Sequence, residues 1–218
     1  GLASKPGQVV MMRLLLCTIA VHGAVGSLVA VADGGEGDAV TDVPSRSRHS
    51  TWHADTESLL NSHIAVEMAA ALQYRALFAY FQRDVVHLKH TAEFFAKNAQ
   101  EEFQHAYELM GYQLKRGGVV DLKALDSPVH EFNAKDGKSD ALVAFEAALA
   151  LEKRVYDSLL AVHTLCGKKG DPPCQDHIDK YLEDQVNAVD HLARIVADLV
   201  RVGPSGHAVW EYDMELSS

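Results

Sequence analysis

The chain lacks the basic runs that a nucleic-acid partner requires. Its 20 Lys and Arg are outnumbered by 30 Asp and Glu, for a formal net charge of −10. No stretch gathers the cations into a patch, which argues against nucleic acid as the main partner. An acidic balance suits cationic ligands better, besides keeping a protein soluble. Few prolines interrupt the chain after position 50, and aromatics make up 7% of it. With long Ala/Leu/Glu/Lys-rich stretches, this favours an all-α protein over a β-rich one. No internal repeat or low-complexity tract is present. Beyond the N-terminal region no apolar run reaches the length of a bilayer-spanning helix, so the mature form is expected to have no membrane partner. Cysteines number three. Cys17 falls in the N-terminal region, while Cys166 and Cys174 flank a turn, where a local disulfide, a bond between subunits and two free thiols are all open.

What is present begins with a targeting signal. Met12-Arg13 precedes the apolar stretch Leu14 to Val21, which continues to Ala30-Val31-Ala32 before the polar run at Asp33. A short basic region, an apolar region and an A-x-A end read as a secretory signal peptide, which predicts a secreted or secretory-lumen protein. Cleavage after Ala32 removes Lys5 and Arg13, taking the charge from −10 to −12. Residues 1–32 are thus expected to be upstream residues and leader, 33–52 a flexible Gly/Asp/Ser-rich tail, and 53–218 one folded domain.

From Asp55 the apolar spacing becomes helical. The first stripe is Leu60, Ile64, Glu67, Ala71, Tyr74, Phe78, Phe81 over about 55–84. The second is Phe95, Ala99, Glu102, Ala106, Leu109 over about 90–116, stopped by Gly117-Gly118. Val119 to Ser139 is aperiodic and long enough to run from one end of a bundle to the other. A third helix, about 139–165, carries Leu142, Phe145, Leu149, Glu152, Tyr156, Leu159, His163, and a fourth, about 173–201, carries Ile178, Leu182, Gln185, Val189, Leu192, Val196, Leu199. Gly203-Pro204 ends the fourth, and Ser205 to Leu216 reads as a short fifth helix.

Each stripe has one polar intruder: Glu67, Glu102, Glu152 and Gln185. His105 lies three residues after Glu102, so an E-x-x-H pair shares one helix face. Burying such carboxylates uncompensated costs several kcal/mol each, roughly, and none of the stripes supplies Lys or Arg. Protonation, mutual hydrogen bonds or a bound cation remain. Carboxylates on facing helices with E-x-x-H are the arrangement of a di-iron or di-manganese site, and the oxygen-rich, thiolate-free set disfavours structural zinc. Glu152 is followed three residues later by Val155 rather than His. Only one metal then has an imidazole, which suits a site through which iron passes.

The motifs Ala65-Val66-Glu67-Met68, Tyr74, Glu101-Glu102-x-x-His105-Ala106, Lys115-Arg116-Gly117-Gly118, Ala150-Leu151-Glu152-Lys153, Asp171-Pro172 and Glu183-Asp184-Gln185-Val186 resemble those of ferritins, specifically the catalytic heavy-chain type. The resemblance implies a ferritin-like four-helix bundle with one long crossover between the second and third helices. It implies ferroxidation of Fe(II) by dioxygen at a di-iron centre and mineral storage in a homo- or hetero-oligomeric cage of twenty-four subunits. Glu67, Glu102 and His105 would hold the first iron, and Glu102 would bridge to a second held also by Glu152. Tyr74 and Gln185 would support them, and Glu101 would hand ferric ions inward. A cage subunit with little ferroxidase activity is the alternative. Where the family's iron-entry channel has an Asp and a Glu, this chain has Gln175 and Ile178, with Asp176 and Asp179 one residue later; His163 is a candidate to face that channel. Gln104 and Tyr107 replace acidic residues of the inner surface, and the remaining histidines are expected to be solvated.

Overall fold

The computed structural model describes residues 45–135 and 137–217. The expected leader and residues 33–44 of the expected tail lie outside that range. Among the described residues there are five helices and no strand: α1 (Ala54–Phe81), α2 (Lys89–Lys115), α3 (Asp140–Lys168), α4 (Pro172–Val202) and α5 (Gly206–Glu215). The all-α expectation holds, with four long helices and a short fifth. The main boundary difference is at the end of α1, which stops at Phe81 rather than near 84. There the backbone turns back on itself through Val86 N and His87 N, both donating to Arg83 O.

The helix starts follow from short polar side chains that accept orphan backbone N–H groups. Ser139 accepts from Leu142 N, Asp171 from Cys174 N and Ser205 from Ala208 N, each at 3.2 Å. α2 has no cap of its own at Leu88. Its first turn is capped from α5 instead: Asp213 accepts from Thr91 N and Thr91 Oγ1 at 2.7 Å and from His90 N at 3.2 Å. One buried carboxylate thus docks the short helix onto the bundle.

The crossover supplies the topology. Asn61 donates to Val119 O and accepts from Asp121 N, Gln73 brackets Val129 with two bonds, and Arg83 pairs with Glu131 at 2.7 Å. Residues 119–131 therefore run beside α1 from its first turns to its end, delivering α3 to the far end of the bundle. α1 packs antiparallel on α2, α3 antiparallel on α4, and α1 against α3.

Two apolar clusters fill the interior. One is built around Tyr74, Phe81, Phe95, Phe145 and Leu192, the other around Leu60, Ile64, Leu109, Leu159 and Ile178. Glu67, Glu102 and Gln185 fall between them along their helices, with Glu152 at the edge of the first. Some expected stripe positions are only half buried, namely Phe78, Leu149, Tyr156, Leu182, Val189 and Val196, while Tyr181 and Ile195 are buried in their place. A strict four-three step drifts from the true inward face over a long helix, because 3.6 residues per turn does not match it.

One end of the bundle is clamped. Arg116 makes a two-pronged contact with Asp171 at 3.2 and 2.7 Å, and its guanidinium lies 4.8 Å from the Trp52 ring centre. The Lys115-Arg116-Gly117-Gly118 and Asp171-Pro172 motifs meet here. Gly117 has φ +78°, and a Cβ there would strike the backbone of Arg48, so the turn admits only glycine. The end of the expected flexible tail is packed rather than loose: Trp52 is 2% exposed and Arg48 pairs with Glu57 at 2.6 Å. Cys166 and Cys174 are bonded to each other, which selects the local disulfide from the three open possibilities.

Arg116→Ala leaves the fully buried Asp171 carboxylate unpaired, and loss of a buried partner costs about 3–5 kcal/mol. Thermal melting should show a large drop in stability, whereas Lys97→Ala at an exposed pair should show almost none. His177 stacks on Tyr112 at 3.8 Å, and burial, helped by Lys180, pushes its imidazole down to about 4 from 6.5. Between those values the unfolded chain holds the proton and the folded chain does not, so stability is full above pH 6.5 and falls as pH drops towards 4. His177→Phe should flatten that part of the slope in melts at pH 7 and pH 5.

Candidate metal centre

Glu67 on α1, Glu102 and His105 on α2 each bring one ligand atom to a common place, all within 4.8 Å of one another. Glu102 and His105 share a face because they are three residues apart, and Glu67 faces them because α1 and α2 form an antiparallel pair. Glu67 is 1% exposed and Glu102 4%. His105 is half buried and rests edge-on against the Tyr181 ring.

Glu152 on α3 stands outside that three-ligand group, but close enough for its charge to act on Glu102. The Tyr74 hydroxyl donates to Glu152 Oε1, and Gln185 on α4 lies near enough to Glu152 to pull its carboxyl down. Tyr74 is thus fixed between a carboxylate and the Phe95 ring at 6.0 Å. Val155 is completely buried in the apolar core. An inward-facing position is therefore spent on packing where a second imidazole would otherwise point at the centre.

The buried acids are electrostatically unequal. Burial pushes Glu67 up, but the His63 ring 2.8 Å away and the neighbouring Glu102 outweigh it and hold the carboxyl below its ordinary range. Burial, together with the hydrogen bond and charge of Glu67, drives Glu102 well up. Burial also raises Glu152, partly offset by Tyr74 and Gln185. Tyr74 keeps its proton, because burial and the Glu152 carboxylate both raise it. The two neighbouring acids are thus pushed in opposite directions, Glu67 down and Glu102 up.

Glu67 Oε2, Glu102 Oε2, Glu152 Oε2 and Gln185 Oε1 are all buried without a hydrogen-bond partner. Four such oxygens in one place are unusual in a protein interior, where buried polar atoms are normally paired. Hard oxygen donors with one imidazole fit a divalent iron or manganese ion. A cleft of about 500 Å³ between α2 and α4 reaches the centre, lined by Glu101, Glu102, His105, Asp184 and Gln185 among others. Glu101 is exposed on that cleft, 3.8 Å from Lys97, and is not one of the converging ligand atoms.

His63 was expected among the solvated histidines and is instead fully buried, with Nε2 2.8 Å from Glu67 Oε1 and Nδ1 3.0 Å from Ser158 Oγ. Its sequence signal was its place one helical turn before Glu67. At the start of α4, Ile178 is buried in the core and Gln175 half buried beside Gly167. Asp176 and Asp179 are exposed, and His163 Nε2 is 3.1 Å from Asp179 Oδ1.

A family model described as the Ferritin-like domain matches residues 57–202. Ferritin-2, chloroplastic, of Zea mays is 43% identical over 84% of this chain and 73% of its own length. Ferritin-3, chloroplastic, of Glycine max is 42% identical over 82% of this chain and 70% of its own. Ferritin, chloroplastic, of Malus baccata var. xiaojinensis is 43% identical over 82% and 71%. These relatives overturn the reading of Met12–Ala32 as a secretory signal peptide and the secreted localisation drawn from it. The basic residue, apolar run and A-x-A ending carried that reading. With fold, centre and similarities in agreement, the chain belongs to the ferritin family.

Proposed function

We propose that this ferritin is of the ferroxidase-competent, heavy-chain type and stores iron in a plastid. Fe(II) enters a centre formed by Glu67, Glu102 and His105 for one ion and by Glu102, Glu152 and Gln185 for a second, and dioxygen takes one electron from each. The ferric product leaves past Glu101 through the α2–α4 cleft into the interior of a cage built from copies of this chain or a related one. The plastid location rests on the chloroplastic relatives.

The observation that carries this reading is the set of partnerless buried oxygens on Glu67, Glu102, Glu152 and Gln185 around one imidazole. Burial and Glu67 favour the protonated form of Glu102 while no cation is bound, and a divalent cation favours its carboxylate. Tyr74 holds Glu152 by its hydroxyl and so fixes the carboxylate serving the second ion. That ion has no imidazole, because Val155 fills the corresponding place. Weaker, oxygen-only coordination favours release over retention. The exposed Asp176 and Asp179, at the start of α4, supply a negative face that draws cations towards an entry channel.

Glu102→Ala combined with His105→Ala should abolish the fast phase of Fe(II) oxidation, followed by oxygen uptake in stopped flow, while size-exclusion mass still reports the assembled cage. An unchanged initial rate would refute the assignment. Asp176→Asn with Asp179→Asn should slow mineral loading several-fold at low Fe(II) and low salt, with the difference shrinking as salt screens the charge.

A further inference from the structure

His63 is outside the ligand group, yet it controls the surroundings of one ligand. It lies on α1 one turn before Glu67, is completely buried, and is held between two helices: Nδ1 is 3.0 Å from Ser158 Oγ on α3 and Nε2 is 2.8 Å from Glu67 Oε1. Although Nε2 is this close, it lies out of line for a well-formed hydrogen bond and has no other partner. The ring therefore has two polar directions, one anchored on a hydroxyl and one facing a carboxylate.

Elementary electrostatics chooses the tautomer. If Ser158 accepted from Nδ1–H in the neutral ring, the Nε2 lone pair would face the oxygen of a carboxylate across 2.8 Å, a repulsive contact. If the Ser158 hydroxyl donates to Nδ1, the ring proton sits on Nε2, which is 2.8 Å from Glu67 Oε1 though off the line of the N–H bond, an attractive charge–dipole contact. The second arrangement is the stable one. It engages Oε1 from outside and leaves Oε2, which has no hydrogen-bond partner, as the free oxygen. Outer partners of this kind orient the groups that ligate a metal.

We infer that His63, anchored by Ser158, is a positioning residue that holds the Glu67 carboxylate in the rotamer bringing it together with Glu102 and His105 to receive a divalent cation. This rests on the reading of Glu67 as a ligand. It adds to that reading a two-residue support reaching from α3 to α1, so that the first metal site depends on three helices rather than two. His63 itself does not touch the ion, since its nitrogens are not among the atoms that converge within 4.8 Å.

The test is anaerobic titration of the assembled, full-length protein with Co(II), which binds without being oxidised and reports its ligands through its visible spectrum. The unsubstituted protein should bind Co(II) tightly. His63→Leu fills the same space without a donor and should weaken that binding by about 10–100-fold, the usual cost of losing an outer partner. Ser158→Ala should weaken it in the same direction but less. His63→Gln, whose amide nitrogen reaches the position of Nε2, should restore the affinity to within a few-fold with an unchanged spectrum. Assembly mass and melting temperature, measured on every variant, separate a packing effect from a positioning one. Wild-type affinity in His63→Leu would overturn the inference, and so would an altered spectrum in His63→Gln, which would make His63 a ligand. Absence of tight Co(II) binding in the unsubstituted protein would instead remove the metal-centre reading, and this inference with it.

Discussion

Ionisable oxygen atoms inside an apolar bundle are the constraint on which the rest of this structure depends. Glu67, Glu102 and Glu152 are each less than 5% exposed, and no Lys or Arg lines the cleft that reaches Glu102. Such burial is tolerable only through shared protons, hydrogen bonds from neutral donors, or a cation. The protein leans on the first two: burial and Glu67 push Glu102 towards its protonated form, and the Tyr74 hydroxyl donates to Glu152, while the His63 ring lies 2.8 Å from Glu67. Several oxygens are still left without partners. An arrangement that only half satisfies itself is poised for a cation, so the local energetic weakness and the proposed activity have one cause.

The surrounding architecture serves to keep those groups facing one another. Two apolar clusters grip the helices on either side of the polar layer, so that no helix can slide without moving a large side chain. Arg116, Asp171 and Trp52 lock one end, where α2, the α3–α4 turn and the chain before α1 converge. Asp213 locks the other end by capping α2 from α5. The crossover along α1 is what permits α1 to be antiparallel to both α2 and α3, which lets Glu67 face Glu102 and His63 face Ser158 at once.

Much of this was legible in the chain itself, and the failures are specific. Glu67, Glu102, Glu152 and Gln185 stood out because a single polar residue in an apolar helical stripe has few explanations. His105 followed from its spacing to Glu102. His63 escaped because a histidine is compatible with either a solvated or a buried position, and only the neighbouring α3 shows which. Trp52 escaped because it precedes the first periodic residue, and its burial depends on Arg116, sixty-four positions later. The targeting segment was misread because secretory and plastid leaders share the acid-free composition while differing in features that a short apolar stretch obscures.

Helical periodicity, the polar intruders and the E-x-x-H spacing are local properties, set within a few turns, and the sequence by itself determined them. With them came the all-α class and the elements of the candidate metal centre. The choice of the Cys166–Cys174 bond, the burial of Ile178 with Asp176 and Asp179 left outside, and the contact from Ser158 through His63 to Glu67 were decided only by the tertiary structure. The physical reason is that each depends on which faces of separate helices meet, and a helix's rotation about its own axis is fixed by its neighbours rather than by its own residues alone.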